Sequence, residues 1–151
     1  GLSFGTMEDL AIPDGTIGGG WHTKQLDCWQ SPEEAAETCA TVARANSSSA
    51  PIFSAQFLRL EPGRTIRPHC GPTNRRWVAH LGLDVPDNVS ITVGGETRNW
   101  IRGKFIVFQD SFRHSVEHHG DRDRIVLALQ VENPEMQKLS QKRQLANKPE
   151  L

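Results

Sequence analysis

The sequence has no long hydrophobic run and no excess of charge of one sign. None of its apolar stretches approaches the roughly 20 residues that a membrane-spanning helix requires. Its 17 lysines and arginines nearly balance 18 aspartates and glutamates, which gives a formal net charge of −1. Balanced charge creates no field that would draw the chain to nucleic acid or to an anionic membrane. We therefore expect no membrane span in this chain and no nucleic-acid partner.

Cysteine is also scarce. The chain has only Cys28, Cys39 and Cys70, so any disulfide scheme leaves one unpaired, and no C-x-x-C pair indicates a zinc or redox motif. The sequence therefore predicts reduced thiols in a reducing compartment, and we expect a cytoplasmic location. No secretion signal is recognisable at the start, although the chain begins at Gly1 and an upstream segment could have been removed.

The length of 151 residues is that of one domain with a hydrophobic core. Residues 1–20 are rich in glycine and contain the turn signal Pro13-Asp14-Gly15, which predicts an irregular N-terminal arm. We predict the folded domain over residues 21–134. Residues 135–151 are predicted to form a polar C-terminal helix or tail.

One helix start is well marked. Ser31-Pro32-Glu33-Glu34 combines a capping serine, a proline at the first helical position and a glutamate that completes a capping box. Small and apolar residues then recur at steps of three and four, which predicts a helix through Ala43. Asn46-Ser-Ser-Ser49 is predicted to end it.

From Pro51 the pattern becomes that of strands. Turn signals separate seven predicted strands, at residues 53–60, 77–83, 89–93, 97–101, 105–108, 114–117 and 124–131. This spacing is typical of an all-β sandwich or barrel. Gly94-Gly95 predicts a two-residue hairpin turn.

Alternation assigns two faces to each of the longer strands. Polar and small residues share one face, namely Arg76, Val78, His80 and Gly82 in one strand and Arg124, Val126, Ala128 and Gln130 in the last strand. The opposite faces are bulky and apolar. This pattern favours a jelly-roll with a polar interior pocket, whose outer face is covered by the helix and the arm.

The residues with the most informative chemistry stand in short motifs. These are His69-Cys-Gly-Pro-Thr-Asn74, Arg76, His80-Leu-Gly-Leu83, Glu96-Thr-Arg-Asn-Trp100, Asp110-Ser-Phe-Arg-His114 and Arg124. In this order and spacing they resemble the aspartyl/asparaginyl β-hydroxylase family, from about Trp21 to Pro134. That family comprises non-haem Fe(II)- and 2-oxoglutarate-dependent oxygenases. The resemblance implies a mainly β, double-stranded β-helix (jelly-roll, cupin-like) fold over residues 21–134, with one or two flanking helices.

The resemblance also implies an activity. Fe(II), O2 and the co-substrate 2-oxoglutarate would together hydroxylate an unactivated C–H bond, with release of succinate and CO2. The target would be the β-carbon of an Asp- or Asn-like residue in a peptide, or a small carboxylic or amino acid. We therefore expect a small-molecule or peptide substrate that carries a carboxylate. The sequence has no repeat or partner domain to dock a large protein, which favours a small molecule.

The metal ligands implied by the resemblance are His69 and His114. Ferrous iron that activates oxygen takes neutral imidazoles and needs open positions, usually with one carboxylate as third ligand. That carboxylate should stand two residues after the first histidine, where this chain has Gly71. The family lacks it too, so water would complete the coordination. Asp110 would lie outside the ligand set.

The same resemblance places four residues around the organic ligands. Arg124 would hold the far carboxylate of 2-oxoglutarate as a bidentate pair. His80 would help to hold the carboxylate next to the metal. Arg76 would contact a carboxylate of the substrate, and Trp21 would be a substrate contact near the mouth of the pocket.

Two positions depart from the family pattern. Val78 replaces a second arginine next to the metal-bound carboxylate, and Leu58 replaces the serine that helps Arg124. We therefore expect 2-oxoglutarate to bind more weakly or in a different orientation. Among other polar and aromatic residues, His118 and His119 are expected to be exposed, and Trp77 and Trp100 to be packing residues.

Alternatives remain open. Gly71 leaves room for a halide, so the same site would suit halogenation, desaturation or ring closure. A non-catalytic cupin-like binding module is another reading, in which Val78 and Leu58 record lost turnover. A third is a cupin isomerase or epimerase that uses another divalent metal.

Overall fold

The computed structural model describes residues 5–6, 20–47 and 50–146. Their strands are β1 (Gly5–Thr6), β2 (Trp21–Leu26), β3 (Ile52–Leu60), β4 (Thr65–His69), β5 (Arg76–Asp84), β6 (Val89–Val93), β7 (Glu96–Asn99), β8 (Phe105–Phe108), β9 (His114–His118) and β10 (Arg124–Glu132). Their α-helices are α1 (Ala36–Ala45), preceded by a 3₁₀ turn at Pro32–Ala35, and α2 (Pro134–Ala146).

Two antiparallel sheets form the body of the fold. The six-stranded sheet has the order β1-β2-β3-β10-β5-β8, and the four-stranded sheet has the order β4-β9-β6-β7. Strands that are distant in sequence lie side by side, as in a jelly-roll: the long β10 pairs along its length with both β3 and β5. The predicted mainly β, jelly-roll fold class is confirmed.

The seven predicted strands are all present, and their ends differ by a few residues at most. The β6–β7 hairpin turns at Gly94 and Gly95, whose φ angles of 57° and 91° suit the primed turn predicted for this pair. The sequence pattern missed β4. Its Pro68 cannot donate to a ladder, and β4 is an edge strand with an irregular register between Ile66 and His69.

Two further strands lie near the N-terminus of the chain. Trp21–Leu26, at the start of the predicted domain, is a strand. Gly5–Thr6, within the predicted irregular arm, pairs with it through Thr23 and His22. The rest of the predicted arm lies outside the described residues, and the predicted domain boundaries stay predictions.

The start of α1 corrects the predicted helix. Ser31 makes no side-chain capping hydrogen bond, and the first turn is a 3₁₀ turn, so that the α-helix begins only at Ala36. The expectation of reduced thiols is wrong for two cysteines, because Cys28 and Cys39 form a disulfide. The turn after β2 folds back on α1 and brings their Cα atoms within 4.9 Å. Cys70 is a free, exposed thiol. The cytoplasmic location stays a prediction.

Burial follows the two faces predicted from alternation. The outer face of the six-stranded sheet packs with α1 in one cluster, formed by Leu26, Val42, Ile52, Ala55, Phe57, Ala79, Leu127 and Leu129. A second cluster fills the space between the sheets, formed by Leu58, Leu60, Ile66, Val89, Ile91, Trp100, Val116, Val126 and Ala128. The polar residues of β5 and β10 therefore face the interior.

The C-terminal segment forms the predicted polar helix, α2, and most of its described side chains are exposed. Neither α1 nor α2 is long and apolar enough to cross a membrane, and no other helix of the described residues is.

Candidate functional site

A cavity of about 510 Å³ opens between the two sheets. Side chains of both sheets line it, and all six residues predicted for the site are among them: Trp21, His69, Arg76, His80, His114 and Arg124. The fold thus brings together residues that are spread over most of the chain.

The two predicted metal ligands are cross-strand neighbours. His69 ends β4 and His114 begins β9, and the register of the four-stranded sheet places them opposite each other. Their ring centroids are 4.2 Å apart, with the ring planes inclined at 53°. One edge of one sheet therefore presents both imidazoles to the cavity.

Backbone carbonyls fix which ring nitrogen of each histidine donates. His69 Nδ1 lies 2.8 Å from the Arg67 carbonyl oxygen, and His114 Nδ1 lies 2.9 Å from that of Phe112. A carbonyl only accepts, so each Nδ1 carries a proton, and in the neutral tautomer that this selects the Nε2 atom holds the lone pair. Burial lowers the pKa of His114, which favours its neutral form. Fe(II) takes imidazole Nε2 atoms as ligands, and backbone hydrogen bonds to Nδ1 of this kind orient metal-ligating histidines.

The place of the missing carboxylate is taken by Asp110. A Cβ atom built on Gly71 would lie 2.5 Å from the Asp110 carboxyl carbon, and the Gly71 N–H donates to the Asp110 carbonyl oxygen at 2.6 Å. Asp110 Oδ1 is buried and has no hydrogen-bond partner. Across the described part of the chain, no group of three or more His, Cys, Asp or Glu side chains is placed to hold a metal ion. The residues present therefore fit a two-histidine site.

Arg76 is already engaged by the protein. Its Nε and Nη2 donate to Asp110 Oδ2 at 3.1 and 2.7 Å, and its Nη1 donates to Gln130 Oε1 at 3.2 Å. The Asp110 carboxylate thus forms a partly buried ion pair with Arg76. A substrate carboxylate at Arg76 would have to share the guanidinium with Asp110.

Arg124 is a buried cation without an anion. It is 1% exposed, and its Nε and Nη2 have no hydrogen-bond partner. Within the described residues no carboxylate forms an ion pair with it; its guanidinium carbon lies 4.7 Å from the ring centroid of Trp100. Burial lowers its pKa to about 10, so it stays charged at neutral pH. An unpaired buried charge is costly, and the cavity that it lines suits an anionic ligand.

His80 lies in the interior as a neutral imidazole. It is 7% exposed, stacks on Trp100 with ring centroids 6.0 Å apart, and meets the ring of Phe108 edge-on at 5.2 Å. Burial first, then the charges of Arg124 and His114, lower its pKa to about 3. Its Nδ1 has no hydrogen-bond partner.

Leu58 and Val78, the two residues that depart from the family pattern, form part of the apolar wall of the cavity. Leu58 and Val78 line the cavity and are 6% and 9% exposed. Leu58 lies on β3, where its cross-strand neighbour is Val126. With Arg76 paired to Asp110, Arg124 is the cation left for a ligand among the described lining residues.

Sequence reasoning misjudged one residue near the site and missed the contacts of another. His118 was expected to be exposed but is 0% exposed, because β9 runs one residue further than predicted and keeps its alternation; its Nδ1 accepts from the Gly120 N–H at 3.1 Å. His119 is exposed as expected. Trp100 is a packing residue as expected, yet it also contacts both Arg124 and His80, which no local pattern indicated.

Residues 11–134 match the sequence model of the family described as "Aspartyl/Asparaginyl beta-hydroxylase". The chain belongs to this family. It is 32% identical over 127 residues to the mouse protein named "Aspartyl/asparaginyl beta-hydroxylase", which covers 78% of this chain and 17% of that one. It is 39% identical over 84 residues to the mouse "Aspartate beta-hydroxylase domain-containing protein 1", which covers 54% of this chain and 23% of the relative. The chain thus spans less than a quarter of these relatives.

Solved structures support the fold. A predicted oxalate decarboxylase from Thermotoga maritima superposes with a TM-score of 0.57 at 14% identity, covering 87% of this chain and 94% of that one. The cupin domain of Schizosaccharomyces pombe Cnp3 gives a TM-score of 0.55 at 10% identity, covering 95% and 74%. At such identities the likeness shows the cupin-like fold alone.

Proposed function

We propose that this hydroxylase-family chain is an Fe(II)- and 2-oxoglutarate-dependent oxygenase that hydroxylates an unactivated C–H bond. The observation that carries the proposal is that a buried, unpaired cation and a pair of histidines with free Nε2 atoms line one cavity. A dicarboxylate that reaches from the histidine pair to Arg124 would satisfy both features.

His69 and His114 would hold the metal through their Nε2 atoms. When bound, the metal together with O2 and 2-oxoglutarate supplies the oxidation of the C–H bond. The chain's own part is to fix both rings with Nδ1 as the donor and Nε2 turned to the metal, through the carbonyl oxygens of Arg67 and Phe112.

Arg124 and His80 would bind the co-substrate. Arg124 supplies charge and unused N–H donors in a dry setting, where an ion pair with a carboxylate is strong. His80 has an unused ring nitrogen and, being neutral, can hydrogen-bond a carboxylate without adding charge. The apolar side chains of Leu58 and Val78 exclude water between these polar groups.

Hydroxylation is favoured over halogenation by the position of Asp110. The room that Gly71 would leave for a halide is filled by the Asp110 carboxylate, which Arg76 holds in place. A negative group there repels an anion. Desaturation and ring closure need no halide, and nothing in the cavity favours them.

The substrate would be a peptide residue or small molecule that bears a carboxylate. Arg76 offers the remaining guanidinium donors in the cavity, shared with Asp110. Trp21, half-buried on β2, lines the same cavity, and its indole Nε1 has no hydrogen-bond partner. Both residues are thus available as substrate contacts.

The test is oxygen-dependent conversion of 2-oxoglutarate to succinate by the purified chain with Fe(II). We expect succinate from the wild type and none above background from His114→Ala. His119→Ala, which removes an exposed histidine outside the cavity, is the matched control and should behave as wild type. If all three proteins release only background succinate, the chain is instead a non-catalytic binding module. Val78 and Leu58, which replace polar residues of the family pattern, would fit that alternative. Turnover without oxygen would indicate an isomerase instead.

A further inference from the structure

One aromatic ring lies against both of the residues proposed to bind the co-substrate. Trp100 follows β7, is 4% exposed and belongs to the cluster between the sheets. Its ring centroid lies 4.7 Å from the Arg124 guanidinium carbon. Its ring also stacks on His80, with 6.0 Å between centroids and 19° between planes. The two ligand groups come from different strands, so the shared ring fixes them relative to each other.

The aromatic face compensates the charge of Arg124 in a useful way. The face of an indole attracts a cation, most strongly where water is absent. A carboxylate partner would do the same but would also occupy the N–H donors of Arg124. Trp100 leaves Nε and Nη2 unused and has no hydrogen-bond partner at its own Nε1, so the ring is held by packing.

A glycine in β5 sets how closely the segment carrying Trp100 approaches. A Cβ atom on Gly82 would lie 2.6 Å from the Ile101 carbonyl oxygen, which is backbone and cannot simply rotate away. Two backbone hydrogen bonds hold the two segments together. The Gly82 N–H donates to the Lys104 carbonyl oxygen at 3.1 Å, and the Gly103 N–H donates to the Gly82 carbonyl oxygen at 2.8 Å. Any side chain at position 82 would therefore push this segment, and Trp100 with it, away from β5.

We propose that Trp100 is a positioning residue that aligns Arg124 and His80 for the two ends of 2-oxoglutarate, and that Gly82 admits Trp100 to that position. The inference rests on the proposed function, since it concerns the same co-substrate. It assigns a purpose to the glycine of His80-Leu-Gly-Leu83 and to the tryptophan of Glu96-Thr-Arg-Asn-Trp100, neither of which lines the cavity.

The first test compares Trp100→Leu with Trp100→Phe. The dissociation constant of 2-oxoglutarate is measured by calorimetry on the Fe(II)-loaded chain without oxygen, and the dissociation constant of Fe(II) itself is measured beside it. Trp100→Leu should raise the dissociation constant of 2-oxoglutarate about tenfold or more, because Arg124 loses the aromatic ring that positions it. Trp100→Phe keeps a ring and should stay within about threefold of wild type. Fe(II) binding should be unchanged in both, because neither His69 nor His114 contacts Trp100.

A matched control separates positioning from stability. Leu129→Ala removes a buried side chain from the outer cluster, so it should lower the melting temperature and leave the 2-oxoglutarate affinity as in wild type. Gly82→Ala adds a second route. It should weaken the binding of 2-oxoglutarate although Gly82 contacts neither the ligand nor the cavity. It also provides a second variant to measure if Trp100→Leu does not fold.

Each outcome decides between two possibilities. Wild-type affinity in Trp100→Leu and Gly82→Ala, or an equal loss in Leu129→Ala, overturns the positioning role. A loss in Trp100→Phe as large as in Trp100→Leu overturns the part played by the aromatic face. Failure of the wild type itself to bind 2-oxoglutarate, with Fe(II) still bound, sinks the proposed function rather than the geometry of Trp100.

Discussion

The carboxylate of Asp110 lies where a side chain on Gly71 would have to go. The two residues are also joined through their backbones by the hydrogen bond from the Gly71 N–H to the Asp110 carbonyl. The position that supplies a carboxylate in a two-histidine, one-carboxylate site is thus closed by a carboxylate from a distant loop. The two positions are therefore expected to be strongly coupled.

Gly71→Asp should destabilise the chain, because its Cβ would overlap the Asp110 carboxyl group and would add a second charge beside it. Overpacking of this kind costs about 1–3 kcal/mol. Gly71→Asp combined with Asp110→Gly should recover part of the loss, with a coupling free energy of about 1 kcal/mol or more. A double-mutant cycle by urea unfolding measures this coupling. Additive effects of the two substitutions would show that Asp110 moves aside freely.

The Cys28–Cys39 disulfide should stabilise the outer layer without affecting the site. It closes a segment of 11 residues, for which the chain-entropy argument gives about 3 kcal/mol. Cys39→Ser should therefore lower the melting temperature while Fe(II) and 2-oxoglutarate affinities stay unchanged. Cys70→Ser, at an exposed free thiol, is the control and should leave the melting temperature as it is. An equal loss in both variants would mean that the disulfide adds nothing.

The alternation of side chains along the sequence predicted the strands and which of their residues face the interior. Alternation in the two long strands assigned His80 and Arg124 to one interior face, and both are buried there. The miss at His118 was an error of one residue in a strand end. The miss at β4 followed from Pro68, which breaks the pattern of a strand although an edge strand tolerates it.

Contacts between distant segments could not be predicted in this way. Alternation says that a side chain points inward but not what it meets, and the ring of Trp100 meets Arg124 only because the fold brings the segment after β7 against β10. The close approach of Asp110 to Gly71 and the disulfide between Cys28 and Cys39 depend in the same way on tertiary packing. The motifs located the site; only the packing of the sheets supplies its distances.

His80 should make folding stability depend on pH. Its pKa is about 3 in the folded chain, against 6.5 for an ordinary histidine, so below pH 6.5 the unfolded chain binds a proton that the folded chain refuses. Above pH 6.5 both states are neutral and the residue has no pH-linked effect. Between pH 7 and pH 5 the wild type should lose about 2 kcal/mol of stability through His80 alone.

The comparison with His80→Gln isolates this contribution. Urea unfolding at pH 7 and pH 5 should show a smaller loss in His80→Gln than in wild type, by about the same 2 kcal/mol. His119→Gln, at an exposed histidine, should keep the wild-type pH dependence. If His80→Gln also keeps it, the imidazole of His80 is accessible to protons in the folded chain.

Arg124 should make the stability of the chain depend on an anion. Without ligand its buried charge is unpaired, so replacement by an apolar side chain of similar length is expected to be neutral or stabilising. Arg124→Met should therefore melt at or above the wild-type temperature when no 2-oxoglutarate is present. Added 2-oxoglutarate at about 100 times its dissociation constant should stabilise the Fe(II)-loaded wild type by about 2.7 kcal/mol. The same addition should leave Arg124→Met almost unchanged. Arg122→Met, at an exposed arginine two positions earlier, is the matched control and should respond as wild type does. A lower melting temperature in ligand-free Arg124→Met would mean that the face of Trp100 already compensates the buried charge in full, and the anion would then not be required to hold it.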